Sequence, residues 1–126
     1  MDAVIDPSGP TVVGTVPPHA NLMGPWADFV TVPIPDGLEG KPLKAELVDD
    51  AWVISLDVDT VTAAAWTALR AQRNSLLAAS DWTQLQDAHL SAEKKSAWAD
   101  YRQALRDLPE NATDPTQVTW PVSPSQ

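Results

Sequence analysis

The sequence has no cysteine, one tyrosine, one phenylalanine and eight basic residues against 17 acidic ones. Without cysteine there are no disulfides, no thiolate metal sites and no cysteine nucleophile. Two histidines, His19 and His89, are too few for a three-histidine zinc site. The net charge of -9 leaves no basic face for nucleic-acid phosphates or anionic lipid. No run approaches the roughly 18 apolar residues of a membrane span. The start, Met1-Asp2-Ala3-Val4-Ile5-Asp6-Pro7, lacks the basic and apolar stretches of a signal peptide. A soluble protein made in a cytoplasm is expected, with no nucleic acid, membrane or cofactor among its partners.

What the chain has instead is proline and tryptophan, 12 and six of its 126 residues. Eight prolines lie at or before Pro42 and four at or after Pro109, with none from Leu43 to Leu108. That map divides the chain into an arm, a core and a tail. In the arm, residues 1–42, prolines remove backbone donors and disfavour helix before them. An extended, proline-rich segment is expected, without a fold of its own. Yet it carries Val12, Val13, Leu22, Trp26, Phe29, Val32 and Ile34, more apolar weight than a disordered spacer holds. The reading is an arm that lies on a partner or on the rest of the chain, with Trp26 and Phe29 at its centre; the plainer alternative is a disordered leader with a few strand-like pieces.

Residues 43–58 read as a β-hairpin. Leu43, Ala45 and Leu47 alternate with polar neighbours, Asp49-Asp50 supplies the turn, and Trp52, Val53, Ile54 and Leu56 follow. Residues 59–124 read as a helical-hairpin domain. Asp59 or Thr60 caps the first helix, and Trp66, Leu69, Leu76 and Leu77 fall near one face. Ser80 to Leu90 is a loop. Ser91 caps the second helix, whose stripe is Trp98, Tyr101, Leu105 and Leu108, and Pro109 ends it. Two such helices should pack antiparallel. The expected fold class is α+β, mainly helical: an antiparallel helical hairpin with a small β-hairpin and an extended proline-rich N-terminal arm. Trp66 and Trp98 read as core. For Trp26, Trp82 and Trp120, which lie outside the regular elements, partner binding and local packing are equally open.

Few residues are spaced for chemistry. Asp57-Val58-Asp59 begins like a calcium loop, but Thr62 stands where glycine is needed and Ala68 where glutamate is needed. Asp87 and His89 have no placed nucleophile, and Glu93 and Asp100 share a helix surface with Lys94, Lys95 and Arg102, an ordinary solvated face. Asn111-Ala112-Thr113 is a chance sequon in a chain without a secretory signal. No catalytic, cofactor-binding or metal-binding residue is assigned, and an enzyme is not expected.

Three ordered stretches carry a resemblance: Arg70-Ala71-Gln72-Arg73-Asn74-Ser75-Leu76-Leu77-Ala78-Ala79-Ser80-Asp81-Trp82-Thr83-Gln84, then Trp98-Ala99-Asp100-Tyr101-Arg102-Gln103-Ala104-Leu105-Arg106-Asp107-Leu108-Pro109, then Trp120-Pro121 with Pro124. They resemble the phage tail assembly chaperone domain, with Gln86 where that family often has proline. The resemblance covers residues 70–124. It implies a bacteriophage tail role by protein–protein interaction, with other tail, baseplate or fibre proteins, or copies of the chain itself, as partners. Two forms of that role are expected. The first is a structural or adaptor protein of the baseplate or fibre, located in the virion tail and made in the host cytoplasm. The alternative is a transient tail or tail-fibre assembly chaperone absent from the mature virion. Arg73, Asp81, Trp82, Trp98, Tyr101, Arg102 and Arg106 form the structural signature, with ion pairs expected among Arg73, Asp81, Arg102 and Arg106.

Overall fold

The computed structural model describes residues 1–9, 11–18, 22 and 28–125. The chain divides into two compact units, Met1–Val61 and Thr62–Gln126. Among the described residues, 40% are helical and 23% lie in five antiparallel strands in two sheets. This overturns the expectation of a mainly helical fold dominated by a helical hairpin.

Much of the segment expected to be an extended arm, among the described residues, lies in a sheet. Strands β1 (Asp2–Asp6), β2 (Thr11–Val16) and β3 (Val30–Pro33) form a sheet in the order β2-β1-β3. Among the described residues the prolines punctuate short strands instead of holding polyproline II. Pro7 follows the central strand directly, and Pro17 and Pro18 follow β2. Pro33 is the last residue of an edge strand, where a missing N–H costs no inner ladder bond. At the β1–β2 turn the Asp6 carboxylate accepts from the Ser8 amide at 2.9 Å and its hydroxyl at 2.6 Å, an Asx turn. The β1–β2 register skips Val13 between Val4↔Gly14 and Ile5↔Val12, a β-bulge.

Strands β4 (Leu43–Val48) and β5 (Ala51–Leu56) pair as a hairpin. Its two-residue turn, Asp49-Asp50, has φ of 48° and 62°, which gives the twist that tight hairpins need. Before it, Gly37 and Gly40 occupy the left-handed region in the β3–β4 connection. Alternation along β1 brings Ala3 and Ile5, with Ile34 just after β3, against Ala45 and Ile54 from the hairpin. Val12, Val32, Leu38, Leu43 and Trp52 close the margin of that core. The N-terminal residues thus supply much of the interior of the first unit. Phe29 is half-buried, and Trp26 lies outside the described residues.

Helix α1 spans Val58–Ala79. Its cap is Asp57, earlier than the expected Asp59 or Thr60: Asp57 accepts from the Thr60 amide at 3.1 Å and hydroxyl at 2.6 Å. Trp66, read as core, is only half-buried, and the Arg70 guanidinium lies 5.5 Å from its ring centroid. A short 3-10 helix, Asp81–Gln84, then leads to α2, Ala92–Asn111, capped by Ser91 Oγ at 3.2 Å from the Lys94 amide. Pro109 does not end α2. It removes one donor in the final turn, and the helix winds on to Asn111. The α2 stripe Trp98, Tyr101 and Leu105 clusters with Leu76, Leu77, Leu90 and Trp120. From α1 it takes the last turns, not the Trp66–Leu69 face, so the paired stripes of a full helical hairpin are not formed.

Candidate partner-binding site

The signature residues converge where α1 ends. An α-helix leaves its last four carbonyls without intrahelical donors, at the negative end of its dipole. Helix α1 has no basic residue in its last turn. Arg102, near the middle of α2, fills that role. Its Nη1 donates to the Leu77 carbonyl at 2.6 Å and to Ser80 Oγ at 2.8 Å, and its Nη2 donates to Asp81 Oδ1 at 2.7 Å. The Arg102 side chain is only 10% exposed, whereas Asp81 is 66% exposed. The planar fork of arginine suits such a set of acceptors; a lysine presents one point charge.

The neighbours are similarly tied. Ser80 Oγ donates to the carbonyls of Leu76 and Leu77 at 2.9 and 3.0 Å. Thr83, fully buried, donates its hydroxyl to the Ser80 carbonyl at 2.6 Å. The loop after α1 is therefore held rigidly, and on it stands Trp82. Its ring lies 6.3 Å from that of Trp98, tilted by 56°, and Trp98 meets Tyr101 edge-on at 5.6 Å. Trp98 is buried, and among the described residues its indole Nε1 finds no acceptor. Trp82 is 39% exposed and Leu85, on the same loop, 56%. The arrangement presents an apolar surface on a braced backbone.

Of the four residues expected to share ion pairs, Arg102 and Asp81 meet. Arg73 bonds its neighbour Asn74 at 2.9 and 3.1 Å, and Arg106 reaches Gln103 at 3.4 Å. Trp120 packs on the Trp98 cluster. The Leu77 and Ser80 acceptors of Arg102 were not foreseen in the sequence, because a carbonyl at a helix end leaves no mark in residue type.

The carboxylates with lowered pKa occupy turns and caps. The Ser8 hydroxyl lowers Asp6, the Thr60 hydroxyl lowers Asp57, the Thr116 amide lowers Asp114, and its own amide followed by Ser91 lowers Glu93. Among the described residues no group of three or more His, Asp or Glu is placed to hold a metal ion, and no helix is long and apolar enough to cross a membrane.

Residues 66–125 match the family model of the phage tail assembly chaperone protein. A solved structure, the solution structure of protein CV0426 from Chromobacterium violaceum, is 36% identical over 64% of this chain and 96% of its own, with a TM-score of 0.44. No curated protein matches. The family match overturns the expected location in the virion tail, since tail assembly chaperones are typically absent from the mature particle. The matched stretch contains the Arg102 staple, the Trp82–Trp98–Tyr101 stack and Trp120, and over that stretch, a little under half of its length, the chain is similar to the phage tail assembly chaperone protein family.

Proposed function

We propose that this protein is a transient chaperone of bacteriophage tail assembly. It binds tail proteins by surface contact, performs no catalysis, and leaves before the particle is complete. The family match over residues 66–125 carries this reading in preference to the structural adaptor. The Trp82–Leu85 surface supports it physically. An exposed tryptophan beside an exposed leucine is the kind of anchor that interfaces concentrate on, and the Arg102 staple lowers the ordering cost of using it. The depressed carboxylates all serve local turns and caps, which agrees with a protein that works by contact.

The test is co-expression of the tagged full chain with the tail proteins of its own phage, followed by mass spectrometry of captured complexes and of purified particles. Tail subunits should co-purify with the chain, and Trp82→Ala should weaken capture at least tenfold. The chain should be missing from finished particles. Its presence there in stoichiometric amount would overturn the reading, as would the absence of any tail subunit among captured proteins.

A further inference from the structure

The β unit lies wholly outside the matched family stretch, and it differs from the helical unit in charge. Residues 1–61 hold ten of the 17 acidic groups and two of the eight basic ones, so they carry -8 of the net -9. Within this unit the core face of the β4–β5 hairpin continues past what covers it. Ala45 and Ile54 are buried, but Leu47, two residues further along the same face, is 57% exposed, beside its half-buried cross-strand partner Trp52. On the opposite face Val48 and Val53 are 48% and 46% exposed. A groove lined by Ala45, Glu46, Leu47, Val48 and Trp52 runs along this end. Its margin is acidic: Glu46 on β4, then Asp49 and Asp50 in the turn. Lys44 is the basic group on β4, already tied to Glu46 at 3.3 Å. Among the described residues β4 and β5 pair only with each other, so each has one edge without a ladder partner.

We propose that the turn end of this hairpin is a second docking surface, for an extended protein segment that alternates aliphatic and basic side chains. The aliphatic side chains cover Leu47 and Trp52, and the basic ones reach Glu46, Asp49 and Asp50. Period-two alternation is what an extended segment offers to a groove beside a strand. Charge decides against a second copy of this chain as the occupant. A symmetric dimer through this patch would set each acidic turn against its own counterpart, on units each carrying -8. A basic segment gains from the same field. Identifying that segment with a tail subunit rests on the chaperone reading; the docking itself does not.

The test uses the 15N-labelled full chain and a synthetic ten-residue peptide of alternating valine and lysine, with a valine–glutamate peptide as control. Amide shifts should concentrate at residues 44–54, and the lysine peptide should bind at least tenfold tighter than the control. Leu47→Ser should weaken binding at least tenfold. Asp49→Asn with Asp50→Asn keeps a residue type that tolerates the left-handed backbone. It should weaken binding severalfold and flatten its dependence on salt. Shifts confined to residues 66–125 would overturn the proposal. So would equal binding of the control, or a dimer in sedimentation that Leu47→Ser dissolves. If the peptide fails while tail subunits are still captured, this proposal falls and the chaperone reading stands; the reverse pattern separates them the other way.

Discussion

Replacing Arg102 by alanine tests the central claim about the helical unit, that a side chain of α2 completes the end of α1. The three bonds it makes are not equal. The pair with Asp81 is short at 2.7 Å, but the carboxylate is 66% exposed. Water and salt screen it, and exposed pairs contribute about 0–1 kcal/mol. The bonds to the Leu77 carbonyl and Ser80 Oγ lie in buried or partly buried surroundings. Hydrogen bonds from a charged donor contribute about 1.5–3 kcal/mol each, and bonds that share one nitrogen do not add fully. Arg102→Ala should therefore cost about 3 kcal/mol, and Asp81→Ala less than about 1 kcal/mol. The coupling of the pair in a double-mutant cycle should also stay below about 1 kcal/mol. Arg102→Lys should recover only a minor part, since one ammonium cannot reproduce the fork. The assay is urea denaturation of the full chain, followed by far-UV circular dichroism at the helical minimum so that the helical unit dominates the signal. Equal losses from Asp81→Ala and Arg102→Ala would refute the reasoning, because the ion pair and not the helix end would then be the important partner.

Ile5→Ala should cost about 2–5 kcal/mol in the β unit, since Ile5 is fully buried between the sheets; a loss under about 1 kcal/mol would mean that β1 does not belong to that core. Asp50→Gly should stabilise the hairpin by roughly 1 kcal/mol, measured as a higher midpoint in the same melts, because at φ of 62° glycine is free of the Cβ crowding that aspartate only tolerates. The pH response follows from carboxylates whose folded pKa is lowered. The contributions of Asp6, Asp57 and Asp114 are complete above their ordinary pKa of about 4 and fade as pH falls through the lowered values. Acid melts should lose stability below about pH 4, and replacing all three by asparagine should flatten that slope.

The hairpin turn at Asp49-Asp50 and the Ser91 cap stand in the sequence because turn and cap chemistry is written in single residues. The three-stranded sheet was legible too, in Val30, Val32 and Ile34 at alternate positions and in the Ala3–Ile5 pair. Proline density outweighed that signal. What decides whether Pro33 breaks a strand is whether it lies at an edge, and strand order is not local information. The same holds at Pro109, where the distance to the end of the helix sets the cost. Trp82 and Trp98 were visible as large apolar residues, but the Arg102 staple depends on carbonyls that every residue possesses. Its geometry had to come from the fold.

That staple also fixes an order of events during synthesis. Every strand of the β unit has been made once Leu56 is added, so its core can close while the rest of the chain is still being translated. Helix α1 comes next, but the carbonyl of Leu77 waits for a guanidinium 25 residues downstream, and the Trp98 cluster waits for Trp120. The braced loop that carries Trp82 thus becomes rigid later than the β unit. A nascent chain gains its acidic β unit first and its tryptophan-bearing surface only after Arg102 and Trp120 have emerged.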